Sequence, residues 1–276
     1  MICIRRDSAA LAICALLALA PAAPASAADL LDDSWLRGSI TGGPVRWDGV
    51  VLGGQIAYSS MQSNFGNSTS SQIAYILRDT ALEQQFAPSS WTTLPNQVTN
   101  AKSFGLFLGY NVQYDDIVLG GDIAYNRVSK ASTSATDTID RVATLADGTV
   151  DDVNIRASSS TKLLDYGTFR GRAGWAIGQF LPYAVLGGAV GRFQYTNAST
   201  VTVVQTVHNA GTFSYPTQTD SQSNKFGFGY LWGLGMDIAI TPNVFLRGEW
   251  EYVSFNRVGG TLNTLNTGRV GLGVRF

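Results

Sequence analysis

The 276-residue chain is short of charge: Lys, Arg, Asp and Glu together make up 14%, against roughly 25% in an ordinary soluble domain. Acidic and basic residues nearly cancel, to a formal −1, which removes the electrostatic footprint that a nucleic-acid partner needs. Its two cysteines, Cys3 and Cys14, both fall in an N-terminal stretch that reads as a leader. No disulfide, thiolate metal site or reactive thiol is therefore expected beyond it. Histidine occurs once, as His208, which is too little for a histidine-based metal site. After the leader no run of 18 apolar residues appears, so a transmembrane helix is excluded and a closed barrel is the one remaining way to span a bilayer.

What the chain does have is glycine, 30 residues, and aromatic side chains, 11%, the mixture of a strongly folded β protein. At the N-terminus Arg5 and Arg6 precede an apolar run, Ala9 to Ala20, and Ala25-Ser26-Ala27 supplies small residues for cleavage. This is the anatomy of a Sec export signal over residues 1–27. The apolar run is too short to remain as an anchor, and neither the arginine pair nor Cys14 has the surroundings of a twin-arginine or lipoprotein signal.

Beyond it, period-two alternation recurs in eight segments, each with one apolar face of the length a membrane strand needs. Val50, Leu52, Gly54, Ile56 and Tyr58 share the first face. Phe104, Leu106, Leu108, Tyr110, Val112 and Tyr114 form the second, and Ile117, Leu119, Gly121, Ile123 and Tyr125 the third, with Asp115-Asp116 as the turn between them. The fourth carries Phe169, Gly171, Ala173 and Trp175. In the fifth, Tyr183 to Val190 is apolar on both faces, and the expectation is that Gly191, Phe193 and Tyr195 face outward with Arg192 and Gln194 inward. The sixth runs from Phe226 to Ile238 opposite a nearly pure glycine face, the seventh through Leu246, Gly248, Trp250 and Tyr252, and the eighth through Val270, Leu272, Val274 and Phe276.

The opposite faces hold Asp122, Arg170, Arg172, Arg192, Asp237, Arg247, Glu249, Glu251, Arg269 and Arg275. A soluble sandwich would turn those charges to water and hide the aromatics. Lipid explains the reverse, because Tyr58, Tyr125, Trp175, Tyr195, Trp232 and Tyr252 at strand ends suit the two bilayer interfaces. Connections alternate as well. Strands 2–3, 4–5 and 6–7 are joined by tight turns, whereas the polar stretches Met61 to Lys102, Val128 to Lys162, Thr196 to Asn224 and Phe255 to Asn266 are long, as on the outer face of an outer-membrane barrel. Within them, Arg141 to Ile155 and Val201 to Tyr215 read as hairpins. They either extend the barrel wall above the membrane, the reading their polar tips favour, or add membrane strands.

The expected fold is thus all-β, a transmembrane antiparallel up-and-down barrel of eight strands with long extracellular loops. It comprises a leader 1–27, a periplasmic segment 28–46 and a barrel 47–276. An eight-stranded barrel has an interior just wide enough for side chains, so the inward charges are expected to bridge the lumen rather than line a wide pore. The carboxylates Glu249 and Glu251, two apart on one face, resemble an acid–base pair, but Arg247 and Arg269 are expected to neutralise them. Gly187 to Gly191 lacks the Lys-Ser/Thr of a phosphate loop, and His208 reads as an exposed polar residue. No catalytic, metal or cofactor site is expected.

With Arg46-Trp47-Asp48-Gly49, Arg170-Gly171-Arg172-Ala173-Gly174-Trp175, Leu181-Pro182-Tyr183, Ile240-Thr241-Pro242-Asn243 and the terminal Val270-Gly271-Leu272-Gly273-Val274-Arg275-Phe276, the chain resembles the porin-family outer-membrane proteins of alphaproteobacteria. These are small OmpA-type barrels that include rhizobial surface antigens. The resemblance implies an outer-membrane location, outer-membrane lipid as surroundings, and recognition of Val270, Leu272, Val274 and Phe276 by the barrel-assembly machinery. It implies a structural or surface role, with a narrow porin for small solutes or a loop-based binder of hemin or host surfaces as alternatives.

Overall fold

The structure, a computed structural model, describes residues 45–206 and 210–276. The leader, nearly all of segment 28–46 and His208 lie outside the described residues. Alternating side chains and tight turns produce the strands β1 (Gly49–Asn64), β2 (Gln97–Tyr114), β3 (Ile117–Thr144), β4 (Val150–Trp175), β5 (Phe180–Gln205), β6 (Gly211–Ser214), β7 (Gln218–Ala239), β8 (Val244–Val258) and β9 (Thr261–Arg275). All pairings are antiparallel. β1-β2-β3-β4-β5-β7-β8-β9 close on themselves into an eight-stranded ring, with β6 attached to the upper end of β5.

The stagger of the ring fixes its width. Following paired residues from Gly53 leads through Phe107, Ala124, Thr168, Ala189, Gly229, Phe255 and Asn263 to Ser63, ten positions further along β1. With strand spacing and rise of ordinary size, that stagger over eight strands gives a tilt of roughly 40° and a backbone radius of about 8 Å. Side chains projecting inward from opposite walls therefore meet.

The outward rows of the lower half are apolar and exposed, among them Leu52, Ile56, Leu106, Tyr110, Ile123, Phe169, Leu186, Phe228, Trp232, Leu234 and Leu272. On β7 the row runs from Phe226 to Ile238, which at that tilt rises about 30 Å, the thickness of a hydrocarbon core.

The upper half departs from the loops expected of it. β3, β4 and β5 run for 28, 26 and 26 residues, far beyond the roughly 10 that cross a bilayer, and pair almost to their tips. The stretch between β1 and β2 contains two helices, α1 (Ser70–Leu77) and α2 (Ala81–Phe86). Ile73 and Leu77 of α1 and Leu82 of α2 are buried against Ala143, Leu145, Val153, Ile155, Val201 and Val203 from the prolonged walls. Gln72 fixes α1 to the wall, donating to the Asn197 carbonyl at 3.2 Å and accepting from Ser199 Oγ at 3.0 Å. The hairpins are wall extensions, and the apolar residues inside them form a second core above the first.

Candidate functional site

The lower lumen is filled by four arginines and four carboxylates, projected inward by β3, β4, β7, β8 and β9. Arg170 donates from Nε to Asp122 Oδ1 at 2.6 Å, and from Nη1 to Glu251 Oε2 at 3.0 Å and to Glu249. Arg269 reaches Glu249 at 3.4 Å and also pairs with Glu251. Asp237 receives Arg172 Nη2 at 2.8 Å and both Nε and Nη2 of Arg247 at 2.9 Å, and Arg247 lies 3.6 Å from Asp122. Asp237 and Arg247 face each other across β7 and β8. Charges on β3 and β4 are thereby tied to charges on β7, β8 and β9 across the ring. With equal numbers of each sign, the set is neutral, as a low-dielectric interior requires.

Aromatic rings close the network on its sides. Arg172 lies over the Tyr183 ring at 3.9 Å and Arg247 over Phe107 at 4.3 Å, while Tyr183 donates its hydroxyl to Glu249 at 3.0 Å. The glycines opposite make room for them: a Cβ on Gly235 would stand 2.5 Å from the Tyr183 ring. Beneath the charges, Trp47 is buried, edge-on to Phe245, with Arg275 over its ring at 5.0 Å. Above them Tyr166, Phe193, Phe255, Leu231 and Val253 form an apolar layer, with Phe193 and Phe255 edge to face at 5.1 Å. Higher still, Ser63 donates to Asn263 at 2.8 Å and receives Thr133 at 2.8 Å, below the helical cap. Near that level Tyr195 donates to Asp220 at 3.1 Å; burial, followed by that carboxylate, raises the Tyr195 phenol above its ordinary pKa.

Two expectations on β5 are corrected. Arg192 is outside the barrel and does not join the lumen charges, and Phe193 and Tyr195 point inward rather than to the interface. The cause is a partner one strand away. Asp165, carried on the outer surface by a bulge between Leu163 and Asp165, pairs in register with Arg192, which donates Nε to it at 3.1 Å. Inside, a Cβ on Gly191 would stand 2.7 Å from the Phe193 ring and 2.9 Å from that of Phe255, so the glycine exists to admit the rings. The expected neutralisation of Glu249 and Glu251 also involves a different pair, Arg170 and Arg269, with Arg247 turned to Asp237. Gly187 to Gly191 lies in mid-strand.

The cap was not anticipated, although one signal for it stood in the sequence. Thr80-Ala81-Leu82-Glu83 has the spacing of a capping box, and Thr80 Oγ1 accepts from the Glu83 N–H at 3.2 Å. Phe276 is exposed on the outer surface, with its N–H bonded to the Val50 carbonyl at 2.9 Å.

The family profile described as outer membrane protein beta-barrel domain matches residues 12–276. No curated protein sequence matches the chain. Among solved structures it is similar to Ail, the attachment invasion locus protein of Yersinia pestis, at 13% identity over 83% of this chain and 99% of that one, with a TM-score of 0.36. It is similar to OprG of Pseudomonas aeruginosa at 14% over 83% and 96%, TM-score 0.34, and to Neisserial surface protein A at 14% over 82% and 97%, TM-score 0.33.

Proposed function

The chain belongs to the outer membrane protein beta-barrel domain family, and from that premise we propose that it is a closed, non-enzymatic structural barrel that presents a rigid folded cap at the cell surface. The observation that carries this reading is the neutral Arg–carboxylate network, whose members have side chains 0–1% exposed and bridge the lumen from β3 and β4 to β7, β8 and β9. An ion path would have to break charge pairs that cost several kcal/mol each to separate away from water. The paired carboxylates have side chains 0% exposed, and each is engaged by Arg170 and Arg269, so no substrate reaches them. Outer-membrane lipid surrounds the exposed apolar rows, and the assembly machinery reads the terminal strand.

The test is single-channel conductance of the purified protein in planar bilayers. The parent is expected to be silent. A steady, ohmic, large-conductance channel in the parent would establish the narrow porin instead. Replacing Arg247 by Ala removes the residue that links Asp237 to Asp122, and openings are expected to appear.

A further inference from the structure

Just above the apolar rows, the outer surface of β2 to β5 carries a cluster of cations. Arg127 on β3 and Arg192 on β5 flank Asp165 on β4 in one register row. Arg127 Nη1 donates to Asp165 Oδ2 at 3.0 Å and Arg192 Nε to Oδ1 at 3.1 Å, so both carboxylate oxygens are occupied. The two guanidiniums keep further N–H groups, and their side chains remain 49% and 33% exposed. Lys102 on β2 and Lys162 on β4 occupy the next exposed positions upward, opposite Ser129 and Ser132. Four cations on four adjacent strands thus surround one carboxylate that is already saturated.

Below this cluster the same surface is shallowly concave. Gly121 and Gly171 pair across β3 and β4 and floor a depression walled by Leu108, Ile123 and Phe169, with a volume of about 440 Å³. The floor begins six residues below Arg127 on β3, about 20 Å along the strand. A cationic head and an apolar trough in line at the bilayer border match a ligand that is anionic at one end and aliphatic at the other.

We propose that this face is a binding site for a phosphorylated lipid of the outer leaflet, its phosphate on Arg127 and Arg192 and an acyl chain over Gly121 and Gly171. The site rests on the chain spanning the membrane with its long strands outside, and is independent of whether the lumen conducts. A conducting barrel would leave it intact.

The experiment titrates the folded full chain in zwitterionic detergent with bisphosphorylated lipid A, and separately with dephosphorylated lipid A, following the complex by native mass spectrometry. Heat-modifiable gel migration verifies that each variant is folded. A basic side chain at an anionic lipid surface is worth roughly a fivefold gain in affinity, so R127Q/R192Q is expected to weaken the phosphorylated lipid about thirtyfold. R127K/R192K, which keeps the charge, should stay near the parent. D165N, which removes the only carboxylate of the cluster, should bind more tightly, and it supplies the reading if the glutamine variant does not fold. G171L fits sterically, its nearest neighbour being the Leu186 carbonyl 3.8 Å from the new Cβ, and should weaken both lipids by filling the trough. Inorganic phosphate should not displace the lipid. Parental affinity in R127Q/R192Q, equal binding of the two lipids by the parent, or displacement by phosphate alone would each overturn the site.

Discussion

Asp237 is the residue on which the lower lumen is most exposed to test, because two arginines converge on it and Arg172 pairs with no other carboxylate among the described residues. It accepts from Arg172 Nη2, Arg247 Nε and Arg247 Nη2, all within 2.9 Å, and no side chain of the three is more than 1% exposed. Replacing it by Ala leaves Arg247 with Asp122 at 3.6 Å and leaves Arg172 with only the Tyr183 ring. Stranding a buried charge in this way costs about 3–5 kcal/mol. The expected loss in urea unfolding of the refolded protein is of that size. If charge is the cause, the double variant Asp237→Leu, Arg172→Met should recover most of it, since it restores equal numbers of arginines and carboxylates, leaves Arg247 to Asp122, and replaces a buried ion pair by apolar groups at little net cost. A loss below about 1 kcal/mol for Asp237→Ala, the value of an exposed pair, would mean that water reaches the network and would refute the closed lumen.

Gly235→Val should destabilise the barrel by roughly 1–3 kcal/mol through overpacking, because its Cβ would press on the Tyr183 ring; Tyr183→Leu in the same chain should restore stability in the same urea assay. Leu77→Ala should cost roughly 2–5 kcal/mol in the upper core, seen as faster proteolysis of the cap, while bilayer conductance stays at zero because the charge layer below is untouched. Deleting Phe276 should lower outer-membrane levels far more than urea stability, since its side chain is exposed and little buried area is lost. Trypsin added to intact cells should cut after Arg78, whose side chain is half exposed between α1 and α2, whereas a protease site placed at Asp115-Asp116 should be protected; cutting only there would invert the topology.

Alternation made most of the ring legible. On the lower halves of β2, β3, β7, β8 and β9 every second residue is apolar or glycine and most of the others are small, polar or charged, so a strand's parity follows from its own residues. β5 lacks that property. From Tyr183 to Val190 both faces are apolar, and Arg192 looks alike whether it turns to the lumen or to Asp165. What decides it is a bulge on the neighbouring strand, a non-local event that adds one residue and re-aims the rest. Irregularities also fall between Arg127 and Ala131 on β3 and opposite Phe193–Tyr195 on β7, at the level where the apolar rows give way to the cap. The cap itself was hidden because its walls carry Ser and Thr outward and short apolar residues inward, a weak alternation in a stretch whose polarity suggests loop. Its helices are short and owe their stability to packing.

Burial alone does not require charges in the lumen, because apolar side chains of equal volume would fill it at comparable stability. They also change how each of these segments reads as a linear sequence. A strand with both faces apolar over the length of β7 would be a continuous hydrophobic run, and with Phe226 to Ile240 extended by a few residues it would approach the roughly 20 that a membrane reads as a helix. Asp237 interrupts that run on β7, as Arg247, Glu249 and Glu251 interrupt the next strand and Arg269 and Arg275 the last. On these strands the inward charges break what would otherwise be one continuous hydrophobic run. Once the ring forms, the stagger sets those charges opposite one another, and the groups that interrupt the apolar runs are the ones that fill the lumen.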